Sequence, residues 1–359
     1  MMGIPLARVG ERVSGAWESG VEAEEKIMNI ASVLQGIRNV KVGVLGDFCL
    51  DIYWHADMRK SELSRETPHF PLPIVEERIA PGGAGNVVAN LCALKPARCV
   101  CLGVFGEDWR GTALMTELRK AGADVSGIVV TPGWQTNTYI KPLRKGLTNV
   151  VYEDPRLDFA NYAPLPASAE ERLLGNLEAA IPSLDVLCVC DQMAFGSVTD
   201  KVRDRIFALG AEGMKIVVDS RERCGLYRNC VVKPNDFEAC RALSIPHTDE
   251  IECLREAAAS LEHRTGRPSV ITVGEKGCVI CEAGKPTHIP TEKATGEIDI
   301  CGAGDTFMAS LAGALATGAS LTDAASLGNL ASSVTIRKLK QTGTASPEEI
   351  LAAEKGTLR

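Results

Sequence analysis

Residues 299–307 read Asp299-Ile300-Cys301-Gly302-Ala303-Gly304-Asp305-Thr306-Phe307, and this stretch decides the fold. Apolar residues then recur at i, i+4 and i+8, as Phe307, Leu311 and Leu315. This spacing predicts a helix that begins near Asp305, and Gly318 is typical of the residue at which a helix ends. The stretch is therefore a glycine-rich turn that leads into a helix.

The glycine-rich turn has the features of an anion site. Glycine lets backbone N–H groups point at a ligand, and the helix dipole favours negative charge at this end. A carboxylate in this place would normally repel a phosphate. Its presence is explained if it takes the proton of a hydroxyl that then attacks phosphorus, so the pattern predicts phosphoryl transfer. Asp305 is then the general base, and the N–H groups of Gly302, Ala303 and Gly304 stabilise the developing charge. The alternative is a tight turn in which Asp305 is an ordinary first-turn acid.

A second glycine-rich turn, 81–86, also leads into a helical pattern. Upstream, two aspartates follow the first predicted strand. Carboxylates accept hydrogen bonds from neighbouring hydroxyls, which is how a site distinguishes a sugar from water. The residues predicted to hold a sugar are Asp47, Asp51, Gly82, Gly83 and Asn86.

Short apolar runs alternate with helix-length segments over most of the chain. The predicted strands are 42–45, 98–104, 186–190, 216–219, 230–233 and 269–273, and the predicted helices are 85–94, 111–121, 169–180, 199–209 and 251–264. This alternation predicts an α/β fold with a mainly parallel central sheet that helices cover on both faces. Ligands of such sheets bind beyond the carboxyl ends of the strands.

Two segments interrupt the alternation. Residues 53–81 are rich in proline and charge, and residues 134–152 read as strand-like pieces broken by Pro142 and Gly146. We predict that segments of about 52–81 and 134–152 form a small inserted β lid on one main domain, residues 37–359. Residues 1–36 are predicted to be a helical extension.

Composition limits the classes of function. The chain has 359 residues, 39 basic and 46 acidic, and a net charge of −7. This acidic balance argues against a nucleic-acid-binding partner, and no run reaches the roughly 18 apolar residues of a membrane helix. Residues 1–20 are charged and have no apolar core, so no signal peptide is expected.

The 13 cysteines are scattered along the chain. Cys278 and Cys281 have CxxC spacing but lie in a predicted strand, where positions i and i+3 face opposite sides. Buried thiols are therefore expected rather than a metal or redox pair. Such cysteine usage predicts a reducing, cytoplasmic compartment.

Two other nucleotide-binding patterns do not fit. Gly83-Ala84-Gly85 before a helix is similar to a dinucleotide fingerprint, but Val88 replaces the third glycine and a proline-rich segment precedes the turn. The P-loop motif does not occur in the sequence.

Together these motifs resemble the PfkB, or ribokinase-like, family of carbohydrate kinases over roughly residues 41–349. The turns 82–86 and 302–305 are similar to the family's two signatures. The resemblance implies a ribokinase-like three-layer α/β/α fold, ATP and Mg²⁺, with Asn235 and Glu238 organising magnesium and phosphates, Glu238 through water. The implied nucleotide-binding residues are Asn235, Glu238, Thr272, Gly274, Gly277, Asn329 and Ser332. It also implies a monovalent cation such as K⁺ on the backbone of Asp299 and Ile300, and a homodimer formed through the lid.

Within the family, the chain resembles the heptose 7-phosphate kinases at residues 46–54, 76–78, 156–159 and 338–347. The implied reaction converts D-glycero-D-manno-heptose 7-phosphate and ATP to the 1,7-bisphosphate, with Asp305 activating the anomeric hydroxyl. The alternatives are another PfkB sugar kinase, acting on a hexose, pentose or sugar phosphate, and a non-catalytic sugar or nucleotide sensor of the same fold. A phosphorylated sugar requires a cation, and the candidates are Arg59, Lys60, Arg65, Arg78, Lys141, Arg144 and Lys145.

Overall fold

The computed structural model describes residues 29–148, 150–339 and 342–357. Of the predicted helical extension, residues 1–28 lie outside the described residues. Residues 30–36 of the predicted extension lie in the first helix.

The described residues form two β-sheets with helices around them. The strands are β1 (Lys41–Gly46), β2 (Phe48–Asp57), β3 (Ile74–Gly83), β4 (Arg98–Gly106), β5 (Asp124–Thr131), β6 (Thr138–Lys145), β7 (Val151–Glu153), β8 (Leu157–Phe159), β9 (Val186–Asp191), β10 (Ile216–Ser220), β11 (Val231–Val232), β12 (Ser269–Thr272), β13 (Cys278–Glu282) and β14 (Lys285–Ile289). The helices are α1 (Ile30–Ile37), α2 (Ala84–Ala93), α3 (Trp109–Lys120), α4 (Ala167–Ala180), α5 (Asp200–Ala211), α6 (Asp236–Leu243), α7 (Ile251–Thr265), α8 (Ala303–Ala316), α9 (Leu321–Thr335) and α10 (Pro347–Glu354). Each predicted strand and helix is present, although the strand predicted at 230–233 is only two residues long.

The first sheet has nine strands in the order β14-β13-β12-β11-β10-β9-β1-β4-β5. All neighbours from β12 to β5 are parallel, and the hairpin of β13 and β14 adds two antiparallel strands at one edge. Since both faces of a parallel sheet are covered by crossover helices, its strands read as continuous apolar runs. The predicted fold class is confirmed.

Alternate side chains of the first sheet enter two separate cores. Val42 and Val44 of β1 pack with α1, α2, α8 and α9, whereas Leu45 packs with α4, α5 and α7 on the opposite face. Cys278 and Cys281 likewise face opposite cores, as the period of a strand requires. Their thiols are buried and free.

The second sheet has the order β3-β2-β6-β7, and β8 also pairs with β6. It begins at Phe48, directly after the first sheet and earlier than the lid predicted from residue 52. The prediction that Pro142 breaks a strand is wrong, because Pro142 lies inside β6 opposite Trp54. A proline only removes an N–H donor from a sheet, and the Pro142 carbonyl still accepts a hydrogen bond from Asp154 N (2.9 Å).

The helices in the described part of the chain do not combine the length and apolarity that a bilayer crossing demands.

Candidate active site

The predicted catalytic and nucleotide-binding residues gather where the carboxyl ends of β10, β11 and β12 meet the amino-terminal end of α8. Gly302 precedes α8 in a left-handed conformation, with φ of +82°. A Cβ at this position would lie 2.6 Å from Asn86 Nδ2. Glycine is therefore required here both for the backbone angle and for the close approach of α2.

Asp305, the third residue of α8, is held by a chain of hydrogen bonds. Asn86 Nδ2 donates to Asp305 Oδ2 (2.7 Å), and Asn90 Nδ2 donates to Asn86 Oδ1 (3.2 Å). Thr306 Oγ1 closes the chain by donating to Asn90 Oδ1 (2.8 Å). This network fixes the orientation of the carboxylate through both helices.

Electrostatics prepare the same carboxylate to accept a proton near neutral pH. Burial raises the pKa of Asp305 to about 7, although the hydrogen bond from Asn86 acts in the opposite direction. The nearby charge of Asp219 raises the pKa further. A general base works best when its pKa is near the working pH.

A polar cavity of about 360 Å³ opens beside Asp305. Among its lining residues are eleven that the sequence predicted: Asn235, Glu238, Thr272, Gly274, Gly277, Ile300, Ala303, Gly304, Asp305, Asn329 and Ser332. An apolar cavity of about 220 Å³ adjoins it, lined by Ala294, Ile298 and Ile336. Because both cavities share Gly274, Ile300, Ala303, Asn329 and Ser332, they form one continuous cleft.

Several of these residues also maintain the cleft. Asn235 caps α6 by accepting from Glu238 N (2.8 Å), and Glu238 Oε2 accepts from Asn235 N (2.9 Å). Ser332 Oγ donates to the Ala303 carbonyl (3.0 Å), and Asn329 Nδ2 donates to the Ile289 carbonyl (3.1 Å). The capping box thus fixes the start of α6, and α9 is tied to the glycine-rich turn and to β14.

Lys233 is a cleft residue that the sequence motifs did not single out. It is 2% exposed, and its Nζ lies 3.1 Å from Asp219 Oδ2. Burial lowers the pKa of Lys233, but the carboxylates of Asp219 and Glu238 outweigh it, so the ammonium stays charged. The sequence signal was a lysine that ends an apolar strand immediately before Pro234-Asn235. Other cleft or network residues that sequence reasoning missed are Asn90, Gln192 and Asp219.

The turn itself is partly occupied by its own hydrogen bonds. Ala303 N donates to the Ile300 carbonyl (3.2 Å), so a bound anion would have to compete for that N–H group. Asp299 N donates to the Ile336 carbonyl (2.8 Å), and Asp299 Oδ1 accepts from Cys301 N (3.0 Å). The described residues contain no group of three or more histidine, cysteine or acidic side chains suited to holding a metal ion. Protein carboxylates alone would thus not complete a metal site in the cleft.

Asp51 lies on the other side of Asp305, on β2 of the second sheet. Its side chain is buried, and burial raises the pKa of its carboxyl. The Asp51 side chain can take this position because residue 82 is glycine. A Cβ on residue 82 would lie 2.7 Å from Asp51 Oδ2. Gly83, with φ of +54°, turns the chain from β3 into α2 and so delivers Asn86.

Asp47, predicted to hold the sugar, has a different set of partners. Its Oδ2 accepts from Gln192 N (2.9 Å) and Met193 N (2.8 Å), and its Oδ1 accepts from Ser197 N (2.7 Å). The residue is 1% exposed, so its carboxylate is committed to the 192–197 loop rather than open to a ligand. The sequence could not indicate this, because the loop is about 150 residues away.

We expect Asp47→Ala to lower the free energy of unfolding by about 2–4 kcal/mol, because three backbone N–H groups, one buried and two partly buried, would lose their acceptor. Thermal or urea unfolding measures the effect. Asp51→Ala is the matched control, since within the described residues the Asp51 carboxylate accepts a hydrogen bond from the Cys49 thiol but from no backbone N–H. Unchanged unfolding of Asp47→Ala together with a raised acceptor KM would restore the sugar-binding role.

The architecture, the two glycine turns and the cleft beside Asp305 together define a carbohydrate kinase of the ribokinase-like class. The sequence profile described as pfkB family carbohydrate kinase matches residues 74–349. The chain belongs to the pfkB family of carbohydrate kinases, and the resemblance seen in the sequence is confirmed.

Individual relatives agree with this membership. The bifunctional protein HldE of Trichlorobacter lovleyi is 32% identical over 329 residues, which cover 90% of this chain and 65% of that protein. Ribokinase of Arabidopsis thaliana, solved with ribose and ATP, has a TM-score of 0.64 and 19% identity, covering 88% of this chain and 99% of the other. Phosphofructokinase-2 of Escherichia coli, solved with potassium, has a TM-score of 0.68 and 17% identity, covering 89% and 100%. At these identities the two structures support the fold alone.

Proposed function

We propose that the chain transfers the γ-phosphoryl group of ATP to a sugar hydroxyl, converting D-glycero-D-manno-heptose 7-phosphate to the 1,7-bisphosphate. One observation carries the proposal: the Asp305 carboxylate, oriented by Asn86, lies between a nucleotide-sized cleft and a second buried carboxylate, Asp51. The choice of heptose rests on the HldE relatives and on the resemblance of residues 46–54 and 156–159 to heptose 7-phosphate kinases.

On the nucleotide side, the apolar cavity takes the adenine and the polar cavity takes the phosphates. Asn329 and Ser332 lie where the two cavities join, and Thr272, Gly274 and Gly277 border the phosphate chain. Lys233 supplies positive charge there. The N–H groups of Gly302, Ala303 and Gly304 stabilise the charge that develops on the transferred group.

Magnesium fits this cleft because Glu238 offers a carboxylate beside Asp219, and hard cations prefer oxygen ligands. Glu238 would hold the ion, together with Asn235, through water and phosphate oxygens. When bound, Mg²⁺ neutralises charge on the phosphates. The carbonyls of Asp299 and Ile300 are proposed to hold K⁺, since phosphofructokinase-2 of the same fold was solved with potassium.

On the acceptor side, Asp51, Gly82, Gly83 and Asn86 form the sugar site. Asp305 accepts the proton of the anomeric hydroxyl as that oxygen attacks the γ-phosphorus, and the bond from phosphorus to the bridging oxygen of ADP breaks. Asn86 keeps the carboxylate directed at the hydroxyl. We further propose that two copies pair through the second sheet, where Phe70, Leu72, Ile74 and Val75 are exposed. The many free, buried cysteines suit the reducing cytoplasm.

The function is tested by mixing the protein with Mg·ATP and a panel of acceptors: heptose 7-phosphate, fructose 6-phosphate, glucose and ribose. ADP release above the sugar-free background, with a new anomeric phosphate in the ³¹P spectrum, is the expected result for heptose 7-phosphate. Faster turnover of another sugar would replace the heptose assignment. Binding of sugar and nucleotide without any ADP would identify a sensor.

The pH dependence of kcat/KM should follow the ionisation of the Asp305 carboxyl group. Because the base acts only when ionised and burial raises its pKa to about 7, kcat/KM should rise about tenfold per pH unit below pH 7 and level off above it. Steady-state rates from pH 5.5 to 9 measure this. A profile that is flat across pH 7 would contradict the assignment.

Asn86→Leu separates the enzyme's ionisation from that of the substrate phosphate, which also titrates near pH 6. Since the hydrogen bond from Asn86 lowers the pKa of Asp305, its removal should move the acidic limb to higher pH. A limb that belongs to the substrate would stay in place.

A further inference from the structure

We propose that Lys141 is the residue by which this enzyme selects a phosphorylated acceptor, an inference that rests on the proposed sugar kinase function. The sequence left seven basic residues as candidates for this role. Lys141 is favoured because it lies on the sheet face that carries Asp51 and its ammonium lies beside the glycine-rich turn.

Lys141 lies on the face of the second sheet that points toward Asp305. Asp51 and Tyr53 of β2 are two residues apart and so share that face, and they pair with Tyr139 and Lys141 of β6. Arg78 of β3 pairs with Tyr53 from the other side. The opposite face, with Leu50 and Ile52, belongs to the apolar core.

The Lys141 ammonium reaches from this sheet to the glycine-rich turn. Its Nζ lies 4.0 Å from Cys301 Sγ and 5.1 Å from the centre of the Tyr53 ring. Burial raises the pKa of Tyr53 to about 12, so its hydroxyl is uncharged at neutral pH. The ammonium therefore lies at the acceptor side of the turn, between a thiol and a neutral aromatic ring.

Three other cations on or beside the second sheet are paired with carboxylates. Arg59 pairs with Asp57 (2.7 Å), Arg144 with Asp154 (2.8 Å) and Arg156 with Asp158 (2.6 Å). Within residues 29–148, 150–339 and 342–357, Lys141 has no carboxylate oxygen within the 4.0 Å limit of an ion pair. Asp51, the carboxylate that faces it on the same sheet, lies beyond that limit, although its charge still interacts with the ammonium.

Lys141 and Lys233 consequently occupy opposite sides of the same turn. Lys233 lies in the nucleotide cleft and is neutralised by Asp219, whereas Lys141 lies on the acceptor side without an ion pair. A partly buried ammonium is stabilised by an anion that replaces its lost hydration. A sugar phosphate brings such an anion, and an unphosphorylated sugar does not. Arg78, 4.5 Å from the Tyr53 ring on the neighbouring strand, adds positive charge to the same face.

The test compares heptose 7-phosphate with unphosphorylated heptose as acceptors, at saturating Mg·ATP, in the wild-type protein, Lys141→Met and Lys141→Arg. Lys141→Met should raise KM for heptose 7-phosphate about 10- to 100-fold, the usual range for a lost charged hydrogen bond, and leave kcat within a few-fold. KM for unphosphorylated heptose should change by less than about threefold, and Lys141→Arg should be intermediate. Lys145→Met is the matched control, because Lys145 lies four residues further along β6 and is exposed.

Two results would overturn the proposal. An equal loss with both acceptors, confined to kcat, would show that Lys141 serves the transferred phosphoryl group instead. Equal affinity of wild type and Lys141→Met for heptose 7-phosphate, measured by calorimetry with a non-hydrolysable ATP analogue, would show that it holds no acceptor phosphate. The calorimetric comparison does not depend on turnover, so absence of ADP in the wild-type protein would count against the proposed function alone.

Discussion

Asp305→Asn should lower kcat by about 10²–10⁴-fold, the usual cost of removing a positioned base, while ATP affinity stays within a few-fold. The substitution keeps the size of the side chain and can retain one contact with Asn86, but an amide cannot accept the hydroxyl proton. Steady-state kinetics together with nucleotide titration measure the two quantities. This is the largest effect that we expect from a single substitution.

Asp323→Asn is the matched control for this experiment. Asp323 is the third residue of α9, as Asp305 is of α8. The Asp323 N–H donates to the Ser320 hydroxyl oxygen (3.1 Å). If Asp305 were only a first-turn acid, both substitutions would cost a few tenths of a kcal/mol of stability and leave kcat unchanged. Near-normal turnover of Asp305→Asn would therefore remove the base from the mechanism.

Gly302→Ala should lower kcat by about 10²–10³-fold, comparable with the loss of one donor from an anion site. The new Cβ would lie 2.6 Å from Asn86 Nδ2, so α2 and the turn must separate. That separation breaks the hydrogen bond that orients Asp305 and displaces the N–H groups beside it. Because the cause is misorientation, the pKa of Asp305 should also change, and the acidic limb of the pH profile reports it.

Gly318→Ala separates this effect from backbone strain. Gly318 also has a positive φ, +89°, but a Cβ there would meet nothing within 4 Å. Alanine should cost about 1–2 kcal/mol of stability at either position because of the left-handed backbone. Only Gly302→Ala should reduce turnover. Similar kinetics of the two variants would mean that the contact with Asn86 is irrelevant to catalysis.

The sequence was a good guide to the fold because the buried parallel strands are marked by their own composition. Runs such as 42–45 and 186–190 are apolar on both faces, and the helices between them begin and end at caps and glycines. Gly302 and Asp305 were recognisable for a similar local reason, since the turn and the acid lie within four residues of each other.

Residues whose role depends on distant contacts could not be recognised. Nothing near Asp47 distinguishes its carboxylate from that of Asp51, and only the fold brings the 192–197 loop to one of them. Lys233 is a single lysine after a two-residue strand, and its role depends on the ion pair with Asp219 on the neighbouring strand. Pro142 was misread because the partners of β6 are provided by segments far away in the chain.

The Asp47 backbone ties together two of the four places where the described chain passes between the sheets. Its N–H donates to the Cys190 carbonyl (2.9 Å) as the chain leaves β1, and its own carbonyl accepts from Ala84 N (3.0 Å) where β3 leads into α2. Sliding the second sheet as a unit over the first would break both hydrogen bonds, whereas a rotation about Asp47 would keep them. We therefore expect an acceptor sugar to be enclosed by rotation, with the far end of β2 and β3 travelling the greatest distance.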